Sequence, residues 1–221
     1  MSAYSEVYKG YTIKVEQDED PINPRRDYDN AATMVCFHGK YDLGDDVKQH
    51  NRTDPDAFRA WLTQHKKDVI SLPLYLIDHS GISMNTGGYG ACDPQGWDWG
   101  CVGVIYITKT KAREWWSWKV LTKKRHEMIV ECLKAEVQEY DYYLTGAVYY
   151  YTIKDPQGED VDSCSGYFGY PEDNGMLPDA RAQINCQIED ERKKHTVKRK
   201  AEIKHRAPLY VRQALPAGAV G

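Results

Sequence analysis

Asp78-His79-Ser80-Gly81 is the densest group of chemically useful side chains in the chain, and it follows directly on the apolar run Leu72–Ile77. Rigid strands present functional groups on the loops at their ends. Other polar residues sit at similar strand-to-loop borders: Asp29, Asn30, His38, Asp42, Asp45, Asp98 and Asp162. Carboxylates and imidazoles together can ligate a divalent metal, and the metal can activate water. On that reading the chain is a small metal-dependent hydrolase acting on a phosphodiester. Asp78, His79 and His38 would be catalytic, and Asn30, Asp42, Asp45, Asp98 and Asp162 would bind. The sequence names no ligand set, because neither HExxH nor a His-x-Asp pair occurs. Asp, Asn and Ser also gather in loops for a plainer reason, since they hydrogen-bond to their own backbone. Both readings stand at this point.

Other chemistry is less well supplied. Ser80, Cys36 and Cys164 can be written as nucleophiles with His38 or His79 as base, but there is no GxSxG elbow. Gly87-Gly88-Tyr89-Gly90 lacks the Lys-Ser/Thr and the helix start of a phosphate loop. None of the six cysteines has CxxC spacing, so no zinc ribbon or thioredoxin-type motif is expected.

Charge is distributed unevenly. The 221 residues carry a net charge of −4, yet residues 1–190 hold 20 basic and 31 acidic residues, and residues 191–221 hold nine basic and two acidic. An acidic body (1–190) and a basic C-terminal extension (191–221) are therefore expected. In the extension, Arg192, Lys193, Lys194, Lys198, Arg199, Lys200, Lys204 and Arg206 fall on one helical stretch, with Tyr210 and Arg212 beyond it. Cations so spaced can track phosphates, which makes nucleic acid a candidate partner of residues 192–206. A solvated helix is the plain alternative. Two acidic clusters, one at Glu16, Asp18, Glu19 and Asp20 and one at Asp42, Asp45 and Asp46, can imitate nucleic-acid phosphates against a host protein, or simply keep the chain soluble.

Elements must hold these groups in position. Tyr11–Glu16 alternates as a strand, and Thr33–His38 is a buried strand. Residues 17–31 form a loop. Asp54-Pro55 opens a helix with Phe58, Trp61, Leu62 and His65 on one face. Leu72–Asp78 and Cys101–Thr108 are strands, joined by a long loop from His79 to Gly100 with six glycines. Residues 111–144 read as one long helix stopped by Gly146, with Trp115 and Trp118 sharing a face and Trp116 pointing elsewhere. Ala147–Lys154 and Glu159–Phe168 form a hairpin about Pro156 and Gly158. A last helix begins near Asp179, with Ala180, Ile184 and Ile188 inward, and runs into the basic stretch. The expected fold is α+β: a single mixed, largely antiparallel sheet packed by about three helices, with a basic C-terminal helix.

A further pattern lies in the loop and strand edges: Tyr28-Asp29-Asn30, Thr33–His38, Tyr41–Asp45, Leu72–Ile82, Trp97-Asp98 with Val102–Tyr106, Glu139–Leu144 and Val161–Cys164. Over about residues 11–170 it resembles an uncharacterised family of small proteins encoded by phages, prophages and plasmids. Tyr28 stands where that family has Trp, and Trp99 where a small polar residue is expected. The resemblance implies a mobile-element accessory protein in the cytoplasm of a bacterial host. Such a protein would bind and modulate a host or phage protein complex, in an anti-defence or nucleic-acid-processing role. The only cofactor the residues suggest is the divalent metal of the hydrolase reading. No apolar run approaches the ~20 residues of a membrane span, the mean hydropathy is −0.70, and residues 1–20 show no signal-peptide pattern. No membrane partner is expected.

Overall fold

A computed structural model describes residues 4–45, 54–65 and 68–206. Asp46, Tyr210 and Arg212, and the side chains of His65, Lys204 and Arg206, lie outside what it describes.

Lys9 and Gly10, at φ 53° and 88°, close a two-residue turn between strands β1 (Tyr4–Tyr8) and β2 (Tyr11–Gln17). Two positive φ values give the turn a twist that matches the flanking strands. β1 is largely exposed and carries no clear alternation, so the sequence pattern starts only at Tyr11. β2 then pairs with β7 (Val148–Lys154), which pairs with β8 (Asp160–Phe168). The result is an antiparallel sheet of order β1-β2-β7-β8. Helix α4 (Met176–Arg206) packs Met176, Ala180 and Ile184 against Ile13, Val15, Tyr151 and Ile153 of this sheet.

The second sheet has the order β3-β6-β4-β5, also antiparallel, from β3 (Thr33–Cys36), β4 (Val69–Asp78), β5 (Ile82–Asn85) and β6 (Trp99–Thr108). Helix α1 (Pro55–His65) buries Phe58 and Leu62 among Val35, Val104 and Tyr106. Helix α3 (Lys123–Thr145) packs Ile129, Leu133, Val137 and Tyr140 with Leu74, Leu76, Ile105 and Ile107. Burial of each such side chain contributes about 1.5–3 kcal/mol. β6 is apolar along its length because it is covered on both faces. At Gly103 a Cβ would collide with the Val35 carbonyl, so the β3–β6 approach requires glycine there.

The fold is α+β, but the described residues form two four-stranded sheets and four helices where one sheet and about three helices were expected. The late hairpin β7–β8 pairs with the N-terminal strands rather than with the middle of the chain. Local pattern fixes which residues are strands, and only tertiary pairing selects the neighbour. β5 lies inside the segment expected to be a loop, and Asp78 pairs with Ile82 across the His79–Gly81 turn. Pro73 is accommodated inside β4 because β5 pairs only with Tyr75–Asp78, which leaves that side of β4 unpaired at Pro73.

The expected helix 111–144 is two helices. α2 (Lys109–Trp115) is capped by Thr108 and α3 by Thr122, and Ser117 between them has φ 54°. Trp116 and Trp118 stack on each other at 5.1 Å, while Trp115 is 45% exposed. The shared helical face expected for Trp115 and Trp118 therefore does not exist. α4 is continuous through Asp190-Glu191, so the boundary drawn at residue 190 falls inside one helix.

Candidate functional site

β4 ends at Asp78, and strand alternation sends residues 78 and 79 to opposite sides. The strongest local motif of the sequence is thus divided. On one side the Asp78 carboxylate accepts from Lys40 Nζ at 3.1 Å and from the Tyr41 hydroxyl at 3.2–3.3 Å. Lys40, followed by Tyr41 and the nearby His38, holds the Asp78 carboxyl below its usual range. His38 stacks on Tyr41 at 5.0 Å, and its Nδ1 accepts from the backbone N–H groups of Lys40 and Tyr41. His38 therefore shapes the 38–41 turn, and its Nδ1 is occupied.

On the other side His79 Nδ1 lies 2.9 Å from Asp98 Oδ2, with the two side chains 73% and 46% exposed. The backbone braces the pair, because Asp78 N–H donates to the Asp98 carbonyl and His79 N–H to the Gly81 carbonyl. Ser80, at φ 56°, holds a left-handed conformation at the tip of the turn. Asp93 organises the opposing loop. Its carboxylate accepts the N–H groups of Gln95, Gly96, Trp97 and Asp98, of which the Asp98 bond does most to hold it below the usual carboxylate range. The His79–Asp98 pair opens into a cleft of about 570 Å³ that also presents Ile82, Ser83, Cys92 and Leu144. Trp97 beside it is 83% exposed. A carboxylate-oriented imidazole can accept and release a proton. Among the described residues, no group of three or more His, Cys, Asp and Glu side chains converges as metal ligands would.

The remaining predicted residues lie elsewhere. Asp45 and Asn30 belong to a buried network around Arg25, a residue the sequence reading did not single out. Arg25 Nε and Nη2 bond to the two Asp45 oxygens at 2.8 and 3.1 Å, Nη1 bonds to Asn30 Oδ1 and to Glu136 Oε2, and Nη2 also reaches the Ala32 carbonyl. Glu136 Oε1 accepts from Ala31 and Ala32, and Asp45 Oδ2 accepts from Met34. This network ties the 17–32 loop to α3 and the edge of β3. Asp42 pairs with Arg26 at 2.6 Å and is 85% exposed. Asp162 is on β8, in the other sheet, where it accepts the N–H of Ser163. Asn30, His38, Asp42, Asp45 and Asp162 thus do not join His79 and Asp98 in the cleft. Of the conceivable nucleophiles, Cys36 is pushed up to about 12 by burial and stays a thiol at neutral pH. All six cysteines are free.

The basic segment forms the distal half of α4. Every side chain from Glu189 to Ile203 is exposed. Lys193 pairs with Asp190, whereas Lys194, Lys198, Arg199 and Lys200 form no ion pair among the described residues. Val197 and Ile203 are 60% and 61% exposed. Six residues apart, they fall on different helix faces and make no apolar stripe. No helix among the described residues is long and apolar enough to cross a membrane.

Comparison with protein-family models, curated proteins and solved structures finds no match. The resemblance over residues 11–170 therefore rests on the sequence motifs alone.

Proposed function

We propose that this chain is an accessory protein that binds, rather than converts, its partner, and that it engages nucleic acid within a host or mobile-element complex through the distal half of α4. One observation carries the reading. About 27 Å of helix, at 1.5 Å per residue from Glu189 to Arg206, shows cations on several faces and no apolar stripe, and among the described residues its one hydrogen bond to the body is accepted by Glu191 from the Tyr11 hydroxyl at 3.3 Å. Such a helix has no packing reason to exist. A polar all-round helix either bridges to a partner or stays solvated, and six described cations suit phosphates. The cytoplasm of a bacterial host and an anti-defence or nucleic-acid-processing role accompany the proposal through the motif resemblance.

The test is fluorescence anisotropy with labelled DNA and RNA across a salt series. The intact chain binds with a steep loss of affinity as salt rises. A variant with Lys194, Lys198, Arg199 and Lys200 all changed to Glu binds at least tenfold more weakly, and the log–log salt slope shrinks by about 3–4 if each lysine or arginine meets a phosphate. Absence of salt-dependent binding by the intact chain rejects the proposal.

A further inference from the structure

The acidic body contains a basic island that its net charge conceals. Residues 109–126 hold seven Lys and Arg against one Glu. The turn between α2 and α3 folds this stretch around a cavity of about 620 Å³, lined by Lys109, Arg113, Lys119, Lys123 and His126 with Asp68 the single acid. Asp68 is engaged by Lys109 at 2.8 Å. Arg113, Lys119 and Lys123 have no ion pair among the described residues, so positive charge dominates the cavity.

The island also breaks a local rule. Lys123, Lys124 and Arg125 occupy the first turn of α3, which has no acidic residue. The amide dipoles make a helix N-terminus positive, so carboxylates are favoured there and cations are not. A sequence that accepts this cost on a 23-residue helix gains something by it. The wall is also held in shape before any ligand arrives. Arg125 donates to the Val120 carbonyl at 2.6 Å and lies 4.9 Å from the Trp118 ring centroid, and Trp118 stacks on Trp116. Preorganisation of this kind lowers the cost of binding.

We propose that this cavity is a binding site for adjacent phosphate groups, supplied either as a free polyphosphate or as a run of nucleic-acid backbone. Three unpaired cations, with Lys109 and His126 at the margin, match two or three neighbouring phosphates in charge. The site is separate from distal α4 and does not depend on the role proposed for it.

Calorimetric titration with inorganic pyrophosphate, a nucleoside triphosphate and a 20-base-pair duplex tests the site. The decisive variant is Lys119→Glu with Lys123→Glu, both on exposed side chains. Removing a cation from the α3 N-terminus relieves the dipole conflict, so the variant melts at the same temperature as the parent or higher, while affinity for the bound probe falls at least tenfold. Binding of pyrophosphate and the triphosphate identifies a free polyphosphate as the source. Binding of duplex alone, lost in this variant, identifies backbone. The α4 quadruple variant keeps its pyrophosphate affinity, which separates this site from the nucleic-acid reading of α4. If no probe binds, or if Lys119→Glu with Lys123→Glu leaves every affinity unchanged, the proposal is overturned.

Discussion

The Arg25 network and the His79–Asp98 pair each join a basic side chain to carboxylate, and they end in opposite states. In the first, a guanidinium 1% exposed in its side chain meets two carboxylates, an amide and a carbonyl, and the carboxylates are completed by backbone N–H groups. All its hydrogen-bonding capacity is spent inside the protein. In the second, a single imidazole–carboxylate bond is braced from behind by the backbone, and the rest of both side chains faces an open cleft. Loop acids and bases are therefore not alike. A closed network organises the fold, while an open pair leaves a hydrogen-bonding edge for a ligand.

Removing the centre of the closed network has the largest expected effect. Arg25→Met leaves Asp45 and Glu136 half-buried without their cation, and loss of one partner of a buried pair costs about 3–5 kcal/mol. Urea unfolding measures it, and a loss below about 1 kcal/mol would mean that the network is not closed. Next comes Glu139, which lies near the network but outside it. Burial, then the Glu136 charge, raises its carboxyl above the ordinary range. A carboxyl raised in the folded state stabilises at low pH, and that contribution is lost as pH rises through its folded titration. Glu139→Gln therefore raises Tm at pH 7, where the wild-type carboxyl would be charged, and leaves it unchanged at pH 3. An equal shift at both pH values would remove the electrostatic explanation. The smallest effect belongs to the open pair. His79→Ala changes stability by less than about 0.5 kcal/mol, as exposed substitutions do, so a clear destabilisation in the same urea assay would class His79 with Arg25.

Much of the scaffold is legible in the sequence. The alternation of Tyr11–Glu16, the apolar run before Asp78, Pro55 at the start of α1 and Gly146 at the left-handed end of α3 all lie where local rules put them. Ala180 and Ile184 are buried as their spacing predicts. The site is less legible. Asp78 and His79 are adjacent in sequence and separated by the pleat of a strand. Asp93 is three residues past the glycine cluster and gave no signal except its place before Pro94, yet its carboxylate shapes the loop that delivers Asp98. Arg25 looked like one charge in a polar loop, because nothing local announces that Glu136, 111 residues away, will reach it. The break between α2 and α3 did leave a trace. The apolar spacing widens between Leu121 and Ile129, and Thr122 is a good cap.

By itself the sequence determined the helices and strands with strong periodicity, the turns with Gly and Pro, and the charge of the distal helix. These depend on residues close in the chain, where backbone geometry and alternation act directly. Tertiary structure alone decided that there are two sheets, that Arg25 is buried and completed, that His79 faces Asp98 while Asp78 faces Lys40, and that Lys109, Arg113, Lys119 and Lys123 line one cavity with the distant Asp68. Each of these depends on which distant side chains share a space, and only packing of the whole chain brings them together.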